Sequence, residues 1–139
     1  MKNTAVSKEV ALDELEKFVN FYSKKPFPRN KLEETYPDVL DGIMDGLLSF
    51  DEKQVPTYKL RFPIKTEDGA SVVLSEVNFK TRIKPSTKAD LSKGLHPVNE
   101  VFAIQLNMLS FIIDQSIAMI DKLEPYDYDT VSQVSAVFP

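Results

Sequence analysis

The feature that most constrains the fold is a strict alternation between residues 58 and 65. Four apolar residues alternate there with charged residues or proline: Tyr58, Leu60, Phe62 and Ile64 with Lys59, Arg61, Pro63 and Lys65. Because successive side chains of a strand point to opposite faces, this pattern predicts a strand with one buried face. Asp68–Gly69 follows and favours a tight hairpin turn, since glycine accepts a positive φ.

A two-residue turn at Asp68–Gly69 predicts the strand register. Four pairs result, of which three are apolar: Ile64 with Val73, Phe62 with Ser75, Leu60 with Val77 and Tyr58 with Phe79. A slip by one residue would set the apolar face of one strand against the polar face of the other. Because proline has no N–H to donate, Pro63 predicts that its strand lies at an edge of the sheet.

Helical spacing governs most of the remaining chain. Apolar residues recur every three or four positions in residues 7–25, 37–49, 97–113, 117–123 and 128–138. Such spacing predicts amphipathic helices. The segment from Pro97 to Ile113 is apolar on most sides, so we expect it to be the central, most buried helix.

The combined pattern predicts an α+β fold, in which an antiparallel β-hairpin packs on a mostly helical bundle. We expect residues 1–55 to form a helical N-terminal extension and residues 56–139 to form the hairpin-plus-helices core. The chain has 139 residues, of which 42% are hydrophobic, so both segments are expected to share one compact domain.

The composition argues against catalysis. The chain has no cysteine and one histidine, His96, and therefore offers neither thiolate chemistry nor a His-rich zinc site. Its four glycines form no phosphate-binding loop. We expect no catalytic residue, no cofactor site and no metal site. His96 and Asp127 are expected to serve in loops or as helix caps.

The sequence shows no pattern typical of a targeting signal. The first ten residues hold no long apolar run, which argues against a secretory signal peptide. The longest apolar stretch, residues 101–113, is interrupted by Gln105, Asn107 and Ser110 and is too short to cross a membrane. We therefore expect a cytoplasmic protein without a membrane partner.

Charge is unevenly distributed along the chain. Residues 59–93 hold eight basic and four acidic side chains, whereas the whole chain has a net charge of −4. In the predicted register, four basic residues point away from the core: Lys59, Arg61, Lys80 and Arg82. A solvated sheet face is the simplest interpretation, and a docking face for an acidic partner or a weak nucleic-acid contact are the alternatives. The acidic total charge disfavours nucleic acid.

An ordered series of short motifs runs from Tyr58 to the last residues. The motifs are Phe62–Pro63–Ile64, Asp68–Gly69, Arg82 with Pro85, Asp90–Leu91, and Asp127–Tyr128 before a closing Phe138. In this order and spacing the chain resembles the tail assembly chaperones of long-tailed bacteriophages. It departs from their pattern at Asp114–Gln115, where the family tends to have Thr-Gly, and in the residues up to about Val55, which lie outside the resemblance.

The resemblance implies a non-enzymatic chaperone that coats the tape measure protein while the tail tube is built around it. The implied partners are the tape measure protein and the tail tube protein, in the cytoplasm of a bacterial host. A homo-oligomer is compatible with this role. Two other functions stay open: a structural tail or baseplate component of the virion, and a small nucleic-acid-binding regulator that uses the basic residues.

A chaperone of this kind needs an apolar groove or a sheet edge that holds a partner segment. Two groups of aromatic and aliphatic residues are candidate contacts: Tyr58, Leu60 and Phe62 on the predicted edge strand, and Phe18, Phe21 and Tyr22 on the first helix. An edge strand could accept an added strand. All six residues suit a hydrophobic core equally well, which is the simpler interpretation.

Overall fold

The computed structural model describes residues 5–139, so residues 1–4 of the predicted N-terminal extension lie outside the described residues. Seven α-helices occur in this part of the chain: α1 (Lys8–Tyr22), α2 (Leu32–Thr35), α3 (Pro37–Met44), α4 (Pro85–Leu91), α5 (Val101–Ile113), α6 (Ile117–Ile120) and α7 (Pro125–Ser135). Three strands complete the fold: β1 (Leu48–Phe50), β2 (Pro56–Lys65) and β3 (Val72–Asn78). The predicted α+β class and the helical N-terminal region are confirmed.

Helix α1 follows from its apolar stripe and its cap. The Ser7 hydroxyl accepts a hydrogen bond from the Val10 N–H and so satisfies one of the free donors of the first turn. Ala11, Leu15 and Phe18 are buried on one face, as the spacing predicts. The helix ends at Tyr22, three residues before the predicted end.

The predicted helix over residues 37–49 is too long. Helix α3 ends at Met44, and Gly46 then adopts a φ of +74° that reverses the chain. The next residues form β1, which pairs antiparallel to β2 with Leu48 opposite Tyr58. A three-residue strand is too short to show a clear alternation, so nothing in the sequence indicated that β1 begins where the helical stripe ends.

The sheet has the order β1-β2-β3, with β2 in the centre. The expectation that Pro63 marks an edge strand is therefore wrong. Pairing between β2 and β3 is interrupted between Lys59 and Ile64. Pro63 falls within this irregular stretch, where no ladder bond is required of it.

The hairpin register differs from the predicted one. Tyr58 lies opposite Val77 instead of Phe79, and Ile64 lies opposite Leu74 instead of Val73. Two irregularities account for these differences: residues 60–63 of β2 have no paired partner in β3, and Val73 of β3 has no partner between Ile64 and Lys65. The turn is also longer than two residues: the Thr66 N–H donates to the Ser71 carbonyl at 2.9 Å, with Asp68–Gly69 inside the loop.

One hydrophobic cluster draws on both sides of residue 55. It includes Phe18 of α1, Leu48 of β1, Tyr58 of β2 and Val131 of α7. Phe18 stacks on Phe50 with ring centroids 4.5 Å apart. Residues of the predicted extension and of the predicted core thus share one interior.

Helix α5 is not the most buried helix, contrary to the prediction. It begins at Val101, four residues after Pro97, and only Leu109, Ile112 and Ile113 are buried. Its first turn is open to solvent, where Phe102 is 63% exposed. Composition indicates how apolar a helix is, but the neighbouring elements decide how much of it is covered.

Two local contacts involve Gly42 and His96, and the second confirms the loop or capping role predicted for His96. Gly42 is packed closely, because a Cβ added there would lie 3.7 Å from Tyr58 Cε1 and 3.8 Å from Thr130 Cγ2. His96 caps the turn before α5: its Nδ1 accepts hydrogen bonds from the backbone N–H groups of Val98 and Asn99.

Candidate partner-binding groove

Asp127 of helix α7 joins the helices to the sheet. Its side chain is fully buried, and its Oδ1 accepts hydrogen bonds from the Tyr58 hydroxyl at 2.6 Å and the Arg61 N–H at 3.0 Å. Its Oδ2 accepts from the Phe62 N–H at 3.0 Å. The carboxylate thus accepts hydrogen bonds from donors in the irregular stretch of β2. The sequence led us to expect that it would cap its own helix, which it does not.

Tyr58 responds to the same environment. Burial of its ring, followed by the hydrogen bond to Asp127, raises the pKa of the Tyr58 phenol well above its ordinary value of 10.0. The phenol therefore stays protonated and keeps donating to the carboxylate. Both groups are committed to this structural contact, which fixes helix α7 against β2.

With α7 held on the sheet, a groove remains between α5 and α7. The groove has a volume of about 460 Å³, and residues after β3 and the last residues of the chain also line it. We call it the α5–α7 groove. Apolar or aromatic residues make up most of its lining, among them Ile83, Phe102, Leu109, Ile112, Tyr128 and Phe138.

The floor and the walls of the α5–α7 groove differ in exposure. Ile83, Leu109 and Ile112 are buried and form a rigid apolar floor. Phe102 and Tyr128 stand above it at the open side. The small residues Ser132 and Ser135 follow Tyr128 on the same face of α7, and Ala136 lies directly after the helix, so the wall beside Tyr128 carries small side chains. The shape and lining suit an apolar helix face.

A second pocket adjoins the groove across Phe102 and Tyr128, which line both. Its volume is about 360 Å³, and it also contains Asp121 and Asp129. We call it the acidic pocket. The α5–α7 groove itself contains one charged side chain, that of Lys88 on α4. The two cavities therefore carry opposite charge on either side of a shared aromatic ridge.

The six contact residues expected from the sequence do not form one surface. Phe18, Tyr58 and Leu60 lie in the hydrophobic core. Tyr22 is half-buried and donates its hydroxyl hydrogen to the Gln54 carbonyl at 2.8 Å. Phe21 and Phe62 are exposed, at 58% and 48%. Tyr58 is already paired with both β1 and β3, and the N–H groups of Arg61 and Phe62 donate to Asp127, so an added strand at Tyr58–Ile64 would have to displace these partners.

The four basic residues meet different surroundings. The Arg61 guanidinium pairs with Asp45, the C-cap of α3, at 2.6 Å. The Lys80 ammonium donates to the Phe111 carbonyl at 3.0 Å and lies over the Phe111 ring. Lys59 and Arg82 are exposed. Arg61 and Lys80 are thus bound to separate helices and do not contribute to one free basic face.

Sequence reasoning missed the groove because its walls come from segments far apart in the chain. The available signal was the composition of α5. A helix that is apolar on most sides needs neighbours all round it, and the predicted elements were too short to supply them. Phe102 could have been singled out on that ground.

Among residues 5–139, no group of three or more acidic or histidine side chains is arranged to hold a metal ion. Nor does this part of the chain contain a helix with the length and apolar character needed to cross a membrane. We found no match to the chain among protein-family models, curated proteins or solved structures.

Proposed function

We propose that this protein is a phage tail assembly chaperone that binds the tape measure protein without catalysing a reaction. The proposal combines the ordered motifs from Tyr58 onward with the geometry of the α5–α7 groove. The client is held through apolar helical segments until tube protein takes its place. The host cytoplasm is the expected compartment, and a homo-oligomer remains compatible with this function.

The observation that carries the proposal is the exposure of α5. A very apolar helix presents Phe102, Val101 and neighbouring Val98 to solvent, at 63%, 47% and 73% exposure. Large clustered apolar residues at a surface favour a binding site over a solvated face. Burying an aromatic ring against a partner contributes about 1.5–3 kcal/mol, so this patch supplies a useful share of a binding energy.

A co-expression experiment tests the proposal. The chain is produced together with the tape measure protein encoded by the same phage genome, and the complex is isolated through a tag on the chain. We expect the tape measure protein to co-purify. Phe102→Asp should lower the recovered amount roughly ten-fold or more, because a carboxylate replaces a central apolar contact.

Phe21→Asp is the matched control, since Phe21 is 58% exposed on α1 and lies outside the groove. It should leave the recovery unchanged. Loss of binding in the Phe21 variant alone would move the contact to α1, and absence of co-purification in every case would reject the chaperone proposal.

Analysis of virions separates the proposal from a structural role. A chaperone acts during assembly, so purified particles should contain the chain only in traces. Quantitative mass spectrometry of density-purified virions provides the measurement. Stoichiometric amounts of the chain would instead identify a tail or baseplate component.

A further inference from the structure

We infer that the α5–α7 groove and the acidic pocket together select an amphipathic partner helix with carboxylates at one end of its apolar face and basic residues at the other. This inference rests on the proposed function, since it takes the occupant to be a helix of a partner protein. Beyond the proposed function, the inference specifies the charge pattern of the partner helix and its orientation in the groove.

The basic end is built around the floor residue Ile83. Arg82 and Lys84 flank it in sequence and are exposed, and Lys88 lines the groove from α4. Within residues 5–139, none of these three cations forms an ion pair. Lys88 is therefore available to a carboxylate beside the apolar face of a partner, and Arg82 and Lys84, which do not line the groove, add positive charge to the same segment.

The acidic end lies beyond the aromatic ridge. Asp121 and Asp129 line the acidic pocket, are exposed, and take part in no ion pair formed by the described residues. They attract Lys or Arg side chains and repel carboxylates. A partner that carries carboxylates along its whole length would meet repulsion here.

The ridge between the two ends makes them one surface. Phe102 and Tyr128 line both cavities, so a helix packed on these rings extends toward Lys88 in one direction and toward Asp129 in the other. Apolar contact with the rings of Phe102 and Tyr128 favours both orientations of the partner helix. The opposite charges at the two ends then favour one direction over its reverse.

Three synthetic helical peptides of equal length and identical apolar face test this inference. One is flanked by glutamate throughout, one by lysine throughout, and one by glutamate in one half and lysine in the other. Fluorescence anisotropy with the full chain measures their dissociation constants. We expect the mixed peptide to bind most tightly, and its advantage to shrink as salt screens the exposed charges.

Charge reversals locate the effect. Lys88→Glu should weaken binding of the glutamate peptide and strengthen binding of the lysine peptide, each by roughly three-fold or more at low salt. Asp129→Lys should change both affinities in the opposite direction. Lys93→Glu, an exposed residue outside both cavities, provides the matched control. Its effect on both peptides should be less than that of Lys88→Glu.

If Lys88→Glu and Lys93→Glu changed the peptide affinities equally, the effect would be one of net charge only, and the inference would be overturned. Binding of no peptide would overturn it as well. The proposed function is judged separately by co-purification of the tape measure protein. Retention of that protein without charge selectivity rejects the inference alone, whereas charge selectivity without its retention rejects the proposed client.

Discussion

The carboxylate of Asp127 is the hydrogen-bond partner of two backbone N–H groups in the irregular stretch of β2. It accepts from the N–H groups of Arg61 and Phe62 and from the Tyr58 hydroxyl, with no exposure to solvent. Hydrogen bonds to a charged acceptor are stronger than those between neutral groups. One side chain therefore stabilises an interruption that would otherwise leave two backbone donors unpaired.

Asp127→Asn tests this role. The amide keeps one oxygen but turns an NH₂ group toward backbone donors, so we expect a loss of roughly 2–4 kcal/mol in the free energy of unfolding. Urea denaturation followed by circular dichroism measures it. The exposed neighbour Asp129→Asn should change stability by less than about 0.5 kcal/mol. Similar values for both variants would contradict the assigned role.

Tyr58 adds a pH dependence. Its pKa is raised in the folded state by burial and by the hydrogen bond to Asp127, so the folded state holds the phenol proton more tightly than the unfolded state. The resulting stability is fully present below the ordinary pKa of 10.0 and decreases as the pH rises above it. We expect the unfolding free energy of Tyr58→Phe to fall less steeply over this alkaline range. Parallel curves for both proteins would exclude Tyr58 as the source.

At the scale of elements, the spacing of apolar residues predicted the helices and strands that bury a single face. The stripe Ala11, Leu15 and Phe18 gave α1, and the alternation that starts at Tyr58 gave β2. The predicted register was wrong at Tyr58 and Ile64 because β2 and β3 are irregular between their paired stretches, where the Arg61 N–H donates to Asp127, 66 residues further along the chain. No local pattern records a backbone donor that pairs with a distant helix.

Gly42 in α3 offers a prediction at this scale. A Cβ at this position would lie 3.4 Å from Leu48 Cβ, which is ordinary van der Waals contact. Gly42→Ala should therefore raise the free energy of unfolding by about 0.5–1 kcal/mol through helix propensity. Gly42→Leu should lower it by about 1–3 kcal/mol through overpacking. Thermal and urea denaturation would measure both, and a destabilising alanine would show that the helix packs more tightly than described.

For the whole molecule, the N-terminal and C-terminal segments depend on each other. Phe138 contacts both Phe18 and Tyr22 through edge-to-face rings, with centroids 5.9 Å and 5.2 Å apart. The sequence suggested an extension joined to a core, since the resemblance covers only the later residues. It could not reveal that the first helix covers the end of the last segment.

A fragment of residues 56–139 should consequently fail to fold alone. Removal of α1, α3 and β1 exposes Tyr58, Val131 and Val134, which are all fully buried or nearly so in the complete chain. We expect the fragment to show no cooperative unfolding transition by calorimetry, in contrast to the full chain. A sharp transition in the fragment would demonstrate two independent units.

The attachment of α5 has a mechanical consequence. The Lys80 N–H donates to the Ile112 carbonyl at 2.8 Å, and Asn107 donates its side-chain amide to the Leu91 carbonyl at 2.8 Å. These hydrogen bonds hold the middle of α5 at Asn107 and its end at Ile112, whereas Phe102 lies in the first turn. We therefore expect the first turn of α5 to exchange its amide hydrogens faster than the residues around Ile112. In the proposed function, displacement of this turn would let one surface accept client segments of different size.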